Sequence, residues 1–197
     1  MALWGTSDAD ESKPKNLTTA EKKEVFANNS GWVREAGSIW SGNDNTDADP
    51  EVLVAVSGLA DSIGAADVTE VEWITSTADK SAGFTLSVRV RYNEAVTVTG
   101  SPTIAVTNGN QGSGSGRGPH TLVYASGSTT NELVFSLAIA AANAATNADD
   151  VLTVAAQNVL KPGGATIKDA SGTASDSAVA ISAGQGTDAG SITVTAT

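Results

Sequence analysis

Apolar and polar residues alternate without a break from Thr85 to Tyr92, and this pattern restricts the possible folds most strongly. Successive side chains of a β-strand point to opposite faces, so the segment predicts a strand with one buried face and one face in water. Asn131–Ile139 repeats the pattern. The residues predicted to point inward are Leu86, Val88, Val90, Tyr92, Leu133, Phe135, Leu137 and Ile139.

Shorter segments of the same kind follow residue 67, separated by turn signals such as Asn108-Gly109 and Pro162-Gly163. They are Val68–Ile74, Pro102–Thr107, Thr121–Tyr124, Val151–Val154, Thr166–Lys168, Ala178–Ile181 and Ser191–Thr195. Many short strands divided by glycine, asparagine and proline turns are typical of a sandwich. The sequence therefore predicts a mainly β fold, an antiparallel β-sandwich over residues 68–197.

Residues 1–67 have a different character and predict a separate N-terminal attachment region. Leu17–Ala27 predicts one short helix, because Thr18 and Glu21 have the spacing of a capping box. Asn28–Gly31 is expected to end that helix, and short strands are expected at Trp32–Val33, Ser38–Trp40 and Glu51–Val56.

Composition and charge exclude several classes of function. The net charge of −11 disfavours binding to nucleic acid and to anionic membranes. The absence of cysteine excludes disulfides, thiolate metal sites and a cysteine nucleophile. The first residues lack the pattern of a signal peptide, and no apolar stretch is long enough to span a membrane. The expected site of synthesis is therefore the cytoplasm.

No residue pattern indicates catalysis. The one histidine, His120, is interpreted as a surface histidine at the start of a strand. Without cysteine or a second histidine, most nucleophilic and zinc chemistries lack a base or ligands. We predict no enzyme activity and no catalytic residues.

Calcium is the alternative to a prediction of no cofactor and no metal site. Oxygen-bearing residues alternate from Asn43 to Asp49, but the glycine and glutamate that an EF-hand loop needs are Pro50 and Val56 when counted from Asn45. Asp149 with Asp150, and Asp169 with Asp176, are further candidate ligands, for which a solvated acidic loop is the competing interpretation.

The tryptophans of the N-terminal region are the candidate partner-binding residues, because so short a region cannot bury all of them. The predicted contact residues are Leu3, Trp4, Trp32 and Trp40. A large aromatic side chain on an N-terminal arm suits a pocket on a partner. Packing of Trp32 and Trp40 on the sandwich is the alternative, and Trp4 is given both interpretations.

Three segments together resemble the immunoglobulin-like modules of bacterial surface proteins. They are Val90–Ile104, Tyr124–Phe135 and Gly164–Gly172. The resemblance implies that the predicted sandwich is immunoglobulin-like; with the helix-containing region before it, the predicted fold is an immunoglobulin-like antiparallel β-sandwich with an N-terminal extension.

The opening Met1–Gly5 resembles the start of virion proteins of tailed phages of marine bacteria. That resemblance implies a structural protein on the outer surface of a virion, specifically a head decoration protein. The implied partners are the major capsid protein or other virion proteins and further copies of the chain, with weak contact to host glycans. A neck, tail or fibre component and a carbohydrate-binding or adhesin module are the alternatives.

Overall fold

The structure is a computed structural model that describes residues 13–109, 119–141, 146–170, 177 and 179–196. It is mainly β, as predicted. The helices are α1 (Thr19–Lys23) and α2 (Ala183–Ala189), and Pro162–Gly164 forms a 3₁₀ turn. The strands are β1 (Val25–Asn28), β2 (Gly31–Arg34), β3 (Glu51–Ala55), β4 (Val68–Trp73), β5 (Ala78–Asp79), β6 (Phe84–Thr99), β7 (Thr103–Gly109), β8 (His120–Ser126), β9 (Thr130–Ile139), β10 (Val151–Thr153), β11 (Gln157–Asn158), β12 (Thr166–Asp169), β13 (Ala180–Ile181) and β14 (Ser191–Thr195).

Twelve of these strands form one connected, mixed sheet, and β11 pairs with β13 separately. Its path is β3-β2-β1-β6-β9-β8-β7-β10-β14-β5, with β4 and β12 also paired to β6. Most neighbours are antiparallel, but β1 with β6 and β14 with β5 are parallel. The long strand β6 joins the two halves of the chain, because it pairs with strands from both.

The predicted alternation on β6 and β9 is confirmed by their register. Val88 lies opposite Phe135 and Val90 opposite Leu133, so the inward residues of the two strands meet. All four are fully buried in the larger of two hydrophobic cores. The expected wet outer face of β6 is wrong at Arg91, which is buried because the N-terminal region covers it.

A smaller core lies in the N-terminal region, around Trp32. Its buried members are Val25, Ala27, Trp32, Leu59 and Ile63. The antiparallel strands β1, β2 and β3 provide most of the residues that enclose it. A side chain at Gly31 would place its Cβ 2.0 Å from the Val54 carbonyl oxygen, so β2 and β3 can approach this closely only with glycine there.

The predicted helix over Leu17–Ala27 is correct at its start and wrong at its end. Thr18 and Glu21 form the expected capping box. The helix ends at Lys23, and Val25 already begins β1. The valine and phenylalanine that follow favour a strand, and Asn29 and Ser30 form the turn of a hairpin instead of a helix end.

One other local prediction is wrong, and one helix has no counterpart among the predictions. Ser38–Trp40 is a turn and not a strand. The sequence of α2, Ala-Gly-Gln-Gly-Thr-Asp-Ala, does not indicate a helix, because four of its seven residues are glycine, threonine or aspartate, which are poor helix formers. A capping box of Ser182 and Gln185 begins it.

Candidate binding cleft

A cleft of about 540 Å³ lies where the N-terminal region covers the outer face of β4, β6 and β9. One wall is α1 with the turn that follows β2, and the floor is the charged face of the three strands. The residues that line it include Lys23, Glu24, Glu35, Ile39, Trp40, Glu70, Glu72, Arg89, Arg91 and Glu132.

Arg91 is the centre of the floor and contacts four carboxylates. Its Nε lies 2.7 Å from an oxygen of Glu132, and its Nη1 lies 3.3 Å from both Glu70 and Glu72. Its Nη2 lies 3.5 Å from Glu35, which directly follows β2. One guanidinium on β6 therefore connects β4, β9 and the N-terminal region.

Two further cations extend this network. Lys23, at the end of α1, lies 2.8 Å from Glu70 and brings the helix against β4. Arg89 lies 3.2 Å from Glu132 and 3.7 Å from Glu72. The lining holds five glutamates against one lysine and two arginines, and Lys13 lies close enough to Glu35 and Glu70 to interact electrostatically with both. The remaining excess of one negative charge favours a cationic group over an anionic one.

The rim of the cleft exposes two large apolar side chains on a turn that is held by polar contacts. Ile39 is 88% exposed and Trp40 is 47% exposed. The carboxylate of Glu24 accepts hydrogen bonds from both of their backbone N–H groups, each at 3.1 Å. Arg34 donates to the Trp40 carbonyl oxygen at 2.7 Å. Glu24 and Arg34 are themselves buried, so they fix the backbone that presents Ile39 and Trp40.

Glu35 carries the clearest electrostatic perturbation in the cleft. Burial raises its pKa to about 7, against the attraction of Arg91, and the neighbouring charge of Glu132 adds to the rise. Asn131 donates a hydrogen bond to Glu35 at 2.9 Å. The Glu35 carboxyl is also in hydrogen-bond contact with Glu132. Glycosidases keep their two carboxyl groups about 5 Å or more apart with the substrate bond between them, so this pair does not have that arrangement.

The predicted partner-binding residues differ in where the structure places them. Leu3 and Trp4 lie outside the described residues. Trp32 is 0% exposed in the small core, which corrects its prediction as a contact residue, because β1 to β3 and the segment after β3 enclose its ring. Trp40 lies on the cleft rim, where a partner can reach it.

His120 lies in the interior and takes no part in the cleft, so its interpretation as a surface residue is wrong. Its Nε2 is 3.0 Å from the Thr146 hydroxyl and 3.5 Å from the Asn108 side-chain nitrogen. Burial lowers its pKa, while the nearby Asp150 acts in the opposite direction. A neutral imidazole that hydrogen-bonds within the fold explains this position.

The oxygen-bearing residues at 43–49 make local turns. Asn43 accepts from the N–H of Asn45, and Asn45 accepts from the N–H of Asp47, at 3.0 and 3.1 Å. A run of such turns uses a side-chain oxygen at every second residue. This explains the alternation of oxygen-bearing residues in the sequence. Among the residues that the structure describes, no group of three or more histidine, cysteine, aspartate or glutamate side chains is placed to hold a metal. Asp176 lies outside them.

Sequence reasoning missed the floor of the cleft. The alternation from Thr85 to Tyr92 places Arg89 and Arg91 on the outer face of a strand, and Glu70 and Glu72 alternate in the same way on β4. The signal available in the sequence was a pair of arginines on one strand and a pair of glutamates on another, each pair two residues apart. The contribution of Glu24 and Glu35 depends on how the N-terminal region folds back, which no local pattern reveals.

Comparison with known proteins gives this chain no relatives: no family model matches it, and neither does any curated protein or solved structure. Within the described ranges, neither helix has the length and apolar character needed to cross a membrane.

Proposed function

We propose that this protein is a structural component of a virion, a decoration protein that binds the outer head surface through its N-terminal region. The observation that carries the proposal is the exposed pair Ile39 and Trp40 on a turn held by Glu24 and Arg34. The assignment to a virion rests on the sequence of Met1–Gly5.

The rim is already ordered in the free protein, so it does not have to become ordered when a partner binds. Tryptophan is enriched among the residues that dominate binding energy, and a fixed backbone reduces the entropy lost on association. The excess of glutamate in the cleft beside Trp40 selects a partner surface with a lysine or arginine next to an apolar pocket. A capsid subunit with such a surface would be stabilised by the free energy of binding.

The strand order supports an immunoglobulin-like sandwich as the displayed part of the protein. Seven strands in chain order, β4, β6, β7, β8, β9, β10 and β14, correspond to strands A to G of that fold. The pairings β4-β6-β9-β8 and β7-β10-β14 then have the order of its two sheets, A-B-E-D and C-F-G. The additional pairing of β7 with β8 links the two sets into the single connected network.

Binding of a labelled protein to particles that lack their own copy tests the proposal. We expect Trp40→Ala to weaken binding by about 30-fold, the effect of a residue that contributes 2 kcal/mol. Leu160→Ala is the matched control, because Leu160 is also a large, exposed apolar residue but is not part of the cleft lining. Equal affinities of the two variants would reject the rim as the attachment site.

Immunogold labelling of particles with an antibody against the purified protein tests location. Label over the heads is the expected result. Label confined to necks, tails or fibres would replace the decoration role with one of those appendages, and absence from particles would reject the virion proposal.

Carbohydrate binding is the second candidate, and the position of Trp40 favours it. An aromatic ring beside a polar cleft suits stacking against a sugar, with arginine and glutamate side chains for its hydroxyls. The other aromatic residues do not form such a platform: Tyr92 is buried, Trp73 donates to the Gly190 carbonyl, and the Tyr124 hydroxyl accepts from Ser128. Saturable binding of neutral oligosaccharides that is lost in Trp40→Ala, while particle attachment is kept, would establish this function instead.

A further inference from the structure

Glu35 is the residue at which the turn of the cleft rim begins. It directly follows β2, and its backbone N–H donates to the carbonyl oxygen of Glu24 at 3.1 Å. Its own carbonyl oxygen accepts from the N–H of Ser38 at 3.4 Å. Ile39 and Trp40 come next, and the Glu24 carboxylate accepts from their N–H groups. The position of Glu35 therefore determines where the exposed pair of the rim lies.

The side chain of Glu35 crosses to the main β region. Its carboxyl accepts a hydrogen bond from Asn131 at 2.9 Å and is in hydrogen-bond contact with the carboxyl of Glu132, both on β9. Arg91 contacts both carboxyls, at 3.5 Å from Glu35 and 2.7 Å from Glu132. A hydrogen bond between two carboxyls needs a proton on one of them, because an ionised carboxylate can only accept. The contact between the rim and β9 therefore depends on one proton.

We propose that the Glu35–Glu132 carboxyl pair is a proton-controlled latch for the rim of the cleft. With the proton in place, Glu35 stays on β9 and the turn that carries Ile39 and Trp40 is fixed. Without it, two carboxylates repel each other within the same contact, so Glu35 moves away and the turn loosens. A partner then binds more weakly, because it has to order the rim on binding. This regulation of binding rests on the attachment function proposed above, whereas the latch itself does not.

The charged groups around the pair belong to the elements that pack against it. They are Lys13 before α1, Lys23 on α1, Glu70 and Glu72 on β4, and Arg89 and Arg91 on β6. Burial disfavours the ionised form of Glu35 most strongly and Glu132 adds to this effect, while Arg91 and Lys13 favour that form. The pKa of Glu35 is raised to about 7 as a result, so the proton is lost near neutral pH.

The pair is open to solvent on two sides. Both carboxyls line the cleft, and both also line a second hollow of about 330 Å³ beside Phe26 and Pro50. The side chains of Glu35 and Glu132 are 18% and 24% exposed. The proton can therefore exchange with water, and the state of the pair follows the pH of the solution.

Hydrogen exchange of the free protein tests the latch, because the N–H groups of Ile39 and Trp40 report whether the turn is formed. A carboxyl with a pKa of about 7 in the latched turn and 4.5 in the open one weakens the latch about 20-fold between about pH 5.5 and about pH 7.5. We expect the protection factors of both amides, corrected for the intrinsic effect of pH on exchange, to fall by this factor. The range ends below the pKa of Lys13, which is about 8.

Glu35→Gln is the decisive variant, since its amide is neutral at every pH and can still donate a hydrogen bond to Glu132. The rim of this variant should stay protected at the higher pH. Glu51→Gln is the matched control, because Glu51 is a glutamate beside Arg34 in the same region but is not part of the cleft lining. It should keep the pH dependence of the unmodified chain.

Two results would overturn the latch. One is equal protection of Ile39 and Trp40 at the two pH values in the unmodified chain. The other is a pH dependence that persists in Glu35→Gln, since another group would then be its source. Binding to particles at the same two pH values tests the regulation, with tighter binding expected at the lower pH. Equal affinities would reject the regulation, and no attachment at either pH would reject the proposed function, whereas hydrogen exchange decides the latch in both cases.

Discussion

The two regions of this protein are stabilised in different ways. In the main β region, buried apolar side chains on paired strands meet in one large core. In the N-terminal region, the smaller core has five buried members, and α1 buries none of its residues. The comparison indicates that alternating apolar residues fold the main region, whereas the N-terminal region also needs specific polar contacts.

Polar side-chain contacts, together with the pairing of β1 with β6, attach the N-terminal region to the main region. Lys23 pairs with Glu70, Asn131 donates to Glu35, and Arg91 lies among carboxylates from both regions. A buried ion pair that loses one partner destabilises a protein strongly, because the remaining charge stays desolvated. The cleft is therefore both the joint between the regions and the candidate binding site.

Cavity-forming substitutions in the two cores test the difference most directly. Phe135→Ala and Trp32→Ala should each cost about 3–5 kcal/mol of local or global stability. Hydrogen exchange should show that Phe135→Ala lowers protection throughout the chain. Trp32→Ala should lower it in β1 to β3 while β6 and β9 remain protected. Equal loss of protection everywhere in both variants would mean that the two regions unfold as one unit.

Removal of the central cation tests the joint. Arg91→Leu should cost about 3 kcal/mol, because Glu35, Glu70, Glu72 and Glu132 are left close together without it. Denaturant unfolding measures the change. Arg89→Leu is the control, since Arg89 is more exposed and contacts two of these carboxylates; a loss as large as that of Arg91→Leu would contradict the central role of Arg91.

The raised pKa of Glu35 predicts a pH dependence in one direction. The unfolded chain releases this proton near pH 4.5, whereas the folded chain keeps it up to about pH 7. The free energy of unfolding should therefore fall as pH rises through that window. Lys13, whose pKa is lowered to about 8 by burial, titrates above it. Glu35→Gln should remove this part of the pH dependence, and an unchanged slope in denaturant titrations would show that Glu35 is not its source.

The smallest expected change in stability is at the rim. Trp40→Ala should alter the free energy of unfolding by less than about 0.5 kcal/mol, because the side chain is half exposed and its backbone is held by Glu24 and Arg34. Thermal unfolding measures this. A loss comparable with that of Trp32→Ala would show that Trp40 supports the fold and is not a side chain kept for contact.

Much of the main β region was predictable because its pattern is local. The buried sides of β6 and β9 follow from alternation alone, and the start of α1 follows from the spacing of Thr18 and Glu21. The domain boundary at residues 67 and 68 remains a prediction. The polar interior around His120 was not predictable, since Thr146 and Asn108 reach it from distant parts of the chain.

The sequence by itself determined the strands β6 and β9 and which side of each is apolar, because neighbouring residues alone set a period of two. Only the tertiary structure decided which charges meet. Glu35, Glu70, Arg91 and Glu132 are far apart in the chain, and they converge because strand pairing and the return of the N-terminal region place them on one face. Burial then changes their chemistry, as the raised pKa of Glu35 shows, and burial depends on the whole fold.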